Sequence, residues 1–181
     1  MSDWNLAPLK PRPLFIYGTL RALPLLSWAL TGDASNISVV SKLVRPARVY
    51  GYARFALKNR DYPAVIKDES QQSSVDGYLL TLETTSQRKK LDSFEGEEYK
   101  PESVLVTVFE TSERHQEEKE VVEANIYLWA GDANALAVTS WELESFEKEI
   151  LGDWLDIFEG MELIGETEDS LPARQSGVDS E

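Results

Sequence analysis

The chain alternates short apolar runs with polar turns, and a few stretches carry their apolar residues at helical spacing. The run Leu14 to Tyr17, in "PLFIYGTL", meets Gly18 and reads as a buried strand entering a glycine turn. "RALPLLSWALTG" spaces Leu and Trp for a helix and closes on a Gly, which predicts a short helix. "KLVRPARVYGYARFAL", Lys42 to Leu57, alternates loosely and is rich in Val, Tyr and Phe. It predicts one or two strands with a break near Pro46 or Gly51. "YPAVIK" and "VDGYLLTL" predict two more strands around the polar loop "DESQQSS".

In "TTSQRKKLDSFEG", Thr84 or Thr85 caps a helix, Leu91 and Phe94 share a face, and Gly96 ends it. "SVLVTVFE" and "VVEANIYLWA" predict an antiparallel pair joined by the charged loop "TSERHQEEKE". "TSWELESFEKEILGDWLDIFEG" predicts one amphipathic helix, and beyond Gly165 the chain turns polar. The result is an α+β chain with six or seven short strands and a few peripheral helices. The strands are too close in sequence for βαβ crossovers, so the expected fold is a mainly antiparallel sheet curled into a small barrel. The expected organisation is one domain over residues 13–164, an N-terminal extension over 1–12 and a disordered acidic tail over 165–181.

Composition narrows the chemistry. The 181 residues contain no Cys, which excludes disulfides, thiolate nucleophiles and Cys-based zinc sites. The one His, His115, lies in an acidic polar run and is expected in an exposed loop, which argues against a Ser-His-Asp triad or a multi-histidine metal site. Acid–base chemistry then falls to carboxylates, Tyr, Lys or the backbone. The net charge of -14 is uneven: residues 1–109 balance at +2, whereas residues 142–169 reach -10. That balance disfavours nucleic-acid binding and leaves a near-neutral body able to accept a small anion. No segment has the roughly 18 apolar residues of a membrane span, and a soluble cytoplasmic protein is expected.

Three features could carry chemistry. "YGTL", Tyr17 to Leu20, either presents several backbone N–H groups to one point or is an ordinary strand-to-helix turn. Glu95, between Phe94 and the segment leading to Tyr99, is either a desolvated base or a solvated helix-end acid beside Glu97 and Glu98. In "DYPAV", Tyr62 is either a hydrogen-bond donor with Pro63 fixing the turn, or part of a simple strand entrance.

"FIYGTLR", "YPAV", "VDGYLLTL", "LDSFEGEEY" and "ANIYLW" occur in the order found in the gamma-glutamylcyclotransferase-like family, which includes AIG2-like proteins and gamma-glutamylamine cyclotransferases. The chain resembles that family over about residues 13–130, and more loosely in the helix beginning "SWELESF". The resemblance implies a small mixed β-barrel with a cavity at one end. It implies that the turn matching Tyr17, Gly18, Thr19 and Leu20 binds a glutamyl end through backbone amides, and that Glu95 is the general acid–base. It also implies that Tyr62, Pro63 and Tyr99 line the cavity. One departure is Lys100, where the family often has Arg after the tyrosine.

The implied reaction closes a γ-glutamyl group into 5-oxoproline and releases an amine or peptide. It needs no metal, cofactor, thiol or histidine, because the substrate's own α-amine is the nucleophile. The alternatives are a non-catalytic member that binds a small carboxylate or a protein, and an enzyme acting on a biosynthetic γ-glutamyl intermediate. Substrate and oligomeric state stay open. A second stretch, "LDIFEG" at Leu155 to Gly160, differs from "LDSFEG" at one position, but leads only into the polar tail. Glu159 is therefore read as a look-alike helix end, with Leu155 and Phe158 as helix-face packing.

Overall fold

The computed structural model describes residues 10–70, 72–111 and 116–158. The loop around His115, Glu159 and the tail over 165–181 therefore lie outside the described residues, as does most of the N-terminal extension.

Five strands close a barrel in the order β1 (Leu14–Ile16), β5 (Ser74–Leu80), β2 (Val44–Tyr50), β6 (Tyr99–Thr111) and β7 (Gln116–Trp129). Four of the five pairings are antiparallel. The pairing that seals the barrel is parallel, with Leu14 opposite Asn125 and Phe15 opposite Ile126. Asn125 N–H donates to the Pro13 carbonyl at 2.9 Å just beyond it. The strands β3 (Tyr52–Ala56) and β4 (Pro63–Lys67) form a separate antiparallel ribbon.

Side-chain alternation divides the core in two. Phe15, Val49, Val75, Leu79, Val106 and Ile126 come from all five barrel strands and pack together, which only the interior of a closed barrel permits. Their chain neighbours Leu14, Ile16, Leu80 and Tyr127 face outward, onto the helices. Those helices are α1 (Leu23–Thr31), α2 (Ile37–Ser41), α3 (Thr85–Glu95), α4 (Leu143–Glu149) and α5 (151–158). Among the described residues no helix is long and apolar enough to cross a membrane.

Of the two expected break points the chain uses Gly51, whose φ of 85° suits glycine, and runs straight through Pro46. On its β6 side β2 is paired only at Ala47 and Arg48, so Pro46 stands beyond that ladder, where a missing N–H is tolerated. The β6–β7 hairpin is longer than expected and takes in Gln116 to Glu120, which the sequence pattern places in the charged loop. The terminal helix is two helices, because Ile150 leaves ideal helical geometry with φ -119° and ψ -35°. The short α2 was not expected at all.

Candidate functional site

Glu95 is the last residue of α3, and both ends of that helix are specified locally. At its start the Thr84 hydroxyl accepts the Gln87 N–H at 3.1 Å, while the Gln87 side chain accepts the Thr84 N–H at 3.2 Å. This reciprocal cap satisfies two amides that helix geometry leaves open. Fully buried Leu91 anchors the middle, and Gly96 turns the chain toward β6. Glu95 is thereby fixed at the mouth of the barrel.

The YGTL segment reaches the same place from β1. Tyr17 sends its hydroxyl to the Tyr127 carbonyl at 2.6 Å, and its own carbonyl accepts from Arg54 Nη1 at 2.8 Å. Thr19 to Arg21 form a single 3-10 turn with Thr19 and Leu20 buried. Gly18 lies under the Pro63 ring: a Cβ there would stand 3.0 Å from Pro63 Cγ and Cδ. That close approach sets the "YP" of β4 against the "YG" of β1.

One cavity of about 700 Å³ gathers Tyr17, Gly18, Thr19, Leu20, Tyr62, Pro63, Glu95 and Tyr99. The structure also brings in residues for which the sequence offers no site role, among them Trp28, Tyr127, Trp154 and Phe158. Tyr127 sits in the "ANIYLW" motif, and the outward side of its strand alternation could have marked it. Lys100 is exposed on β6 and is not part of the cavity.

Burial pushes the Glu95 carboxyl up to about 8, with the charge of nearby Asp92 adding to it. Its position at a helix C-terminus acts in the same direction. Three tyrosines stand close enough to feel its charge, Tyr17, Tyr99 and Tyr127, and burial raises the pKa of each, so all keep their protons. None of those protons goes to Glu95. Tyr17 donates to the Tyr127 carbonyl, Tyr99 to the Pro63 carbonyl at 2.8 Å, and Tyr127 to Asp92 Oδ1. Asp92 is further held by Arg88 Nε at 2.9 Å. The two carboxylates of α3 thus differ: Asp92 has fixed donors, and Glu95 has none among the described residues. Such an unpartnered, desolvated carboxyl is suited to exchanging a proton with a bound molecule.

Among the described residues no group of three or more His, Asp or Glu is placed to hold a metal ion. A profile of the family described as "Gamma-glutamyl cyclotransferase, AIG2-like" matches residues 14–154. The chain belongs to the AIG2-like gamma-glutamyl cyclotransferase family. Curated relatives include Protein AIG2 B of Arabidopsis thaliana, 28% identical over 135 residues that cover 75% of this chain and 70% of the relative. AIG2-like protein C of the same plant is 29% identical, covering 75% and 69%. Among solved structures, the solution structure of an Arabidopsis thaliana protein superposes with TM-score 0.54 at 20% identity, covering 91% of this chain and 88% of that one. A yeast gamma-glutamyl cyclotransferase specific to glutathione superposes with TM-score 0.50 at 14% identity, covering 73% and 74%. These two likenesses show a common fold. In this AIG2-like chain the matched segment runs from the first residue of β1 to Trp154 of α5, so it takes in the whole barrel and most of the cavity wall.

Proposed function

We propose that the protein is an intramolecular cyclotransferase that converts a γ-glutamyl compound into 5-oxoproline and a free amine or peptide. The observation that carries this reading is Glu95: an unpartnered carboxyl, held near 8 by burial, in one cavity with the Tyr17–Leu20 turn.

The amides of the turn hold the glutamyl α-carboxylate, and Tyr62, Pro63 and Tyr99 wall the folded glutamyl chain. In that folded form the α-nitrogen lies beside its own γ-carbonyl. Attack forms the new C–N bond and closes the five-membered lactam. The Glu95 carboxylate takes the proton that the α-nitrogen loses. It returns that proton to the leaving nitrogen as the old amide C–N bond breaks, so the carboxylate is regenerated and no water is consumed. Much of the acceleration comes from holding nucleophile and carbonyl together, and proton transfer contributes roughly 10²–10⁴-fold.

Glu95→Gln is therefore expected to lower 5-oxoproline release by about 10²–10⁴-fold while the protein stays folded. In the wild type kcat/KM should fall as pH drops below about 8, because only the ionised carboxylate accepts the proton. Turnover at the wild-type rate in Glu95→Gln would remove Glu95 from the role of base.

A further inference from the structure

The Tyr17–Leu20 turn and Glu95 account for only one part of the cavity. Another part is walled by rings from three helices, Trp28 of α1, Phe94 of α3, and Trp154 and Phe158 of α5, with Thr31, Lys90 and Ser93 as polar members of the same lining. Phe158 joins them. It stacks on Trp28 with centroids 4.7 Å apart and planes 15° apart, and meets Phe94 and Trp154 edge-on at 6.1 and 5.9 Å. All four rings are half-buried, and each still contributes surface to the cavity. Apolar surface kept out of the core in this way is the usual lining of a site for an apolar ligand group.

The position of this wall is defined by the chain itself. Phe94 directly precedes Glu95, so the aromatic wall begins next to the carboxyl that would serve the leaving nitrogen. Its charge is equally defined. Among the described residues the ionisable groups on the cavity lining, tyrosines aside, are Glu95 and Lys90, and no carboxylate other than Glu95 lines it. The buried Trp28 indole N–H has no acceptor among the described residues. At about 700 Å³ the cavity is large enough for a drug-sized molecule and far exceeds the needs of a glutamyl group alone.

We infer that the wall formed by Trp28, Phe94, Trp154 and Phe158 is a leaving-group pocket that selects γ-glutamyl conjugates of amines bearing an aromatic group. This inference rests on the cyclisation proposed above. The rings of the pocket receive the aromatic group by offset or edge-on stacking, and a conjugate whose leaving group is small leaves them unfilled.

The test compares γ-glutamyl-phenethylamide with γ-glutamyl-ethylamide, two conjugates of unbranched primary amines, and with γ-glutamyl-ε-lysine. Release of 5-oxoproline gives kcat/KM for each. The phenethylamide is expected to exceed both others by at least about tenfold. Trp28→Leu and Phe158→Leu, two variants on different helices, should each reduce the phenethyl-to-ethyl ratio by about fivefold or more. Equal turnover of the two amides, or preference for the lysine conjugate, overturns the aromatic assignment and leaves the cyclisation standing. So does an equal loss on both amides in the two variants, with the ratio intact, since that is the signature of a structural wall. Release from none of the conjugates overturns the cyclisation and this inference together.

Discussion

Glu95 stores free energy against the fold. Its carboxyl titrates near 8 in the folded chain and near 4.5 when solvated, so between those values the native state binds more protons than the unfolded one. Stability must therefore be fully present below about pH 4.5 and fall as pH rises through about 8. Glu95→Gln, which is neutral throughout, lacks this loss. Thermal melts at pH 5 and pH 9 should show the variant gaining on the wild type at the higher pH, by an amount on the order of a few kcal/mol. A difference between variant and wild type that is the same at both pH values would mean that the carboxyl is solvated after all. The cause is traceable to single bonds: if Tyr99 or Tyr127 gave its proton to Glu95 in place of Pro63 or Asp92, the carboxylate would be stabilised and the loss would shrink.

The elements divide the labour between positioning and covering. Helix α3 is locally self-specified, and Thr84→Ala should cost about 1 kcal/mol in urea unfolding, with kcat/KM changed less than about twofold. The far end that carries Glu95 is tethered independently by buried Leu91, so a frayed start does not displace it. A tenfold fall in kcat/KM would show that the cap and the catalytic end move together. This helix was legible in the sequence because its cap, its apolar face and its terminal Gly are all local signals. So was the YGTL turn, since a strand ending in Gly is also local. Trp28, Trp154 and Phe158 were not legible as cavity residues. Helical spacing says that an aromatic faces inward, and says nothing about whether core or cavity lies on that side. Phe158 illustrates this, since its packing on the helix face and its place on the cavity wall are the same contact. The break at Ile150 is hidden from the sequence because Leu151, Trp154 and Leu155 keep the apolar period across it.

At the scale of the whole molecule, stability is graded from the sealed barrel to the helices over its mouth. The strands β1, β5 and β7 bury residues on both faces, including Leu14, Phe15, Leu79, Leu80, Ile126 and Tyr127. By contrast α5 buries Leu151 and presents mostly exposed or half-buried positions from Gly152 to Phe158. Amide hydrogen exchange should accordingly be slowest in β1, β5 and β7 and should reach the residues of α5 first. Exchange in α5 as slow as in β7 would mean that the mouth and the barrel open as one unit. The legible part at this scale was the barrel itself, read from strand spacing and motif order. The parallel closure was beyond periodicity, because a strand of three residues shows nothing of its second neighbour.

That closure has a consequence for synthesis. During translation β1 emerges early and acquires its β5 partner once residue 80 is free, but its other edge waits for Asn125 and Ile126. At about 5–20 residues per second the nascent chain spends several seconds with a hydrophobic strand open on one side. In the interval before its seventh strand is made, the exposed edge is only three residues long, and that shortness limits what can pair with it.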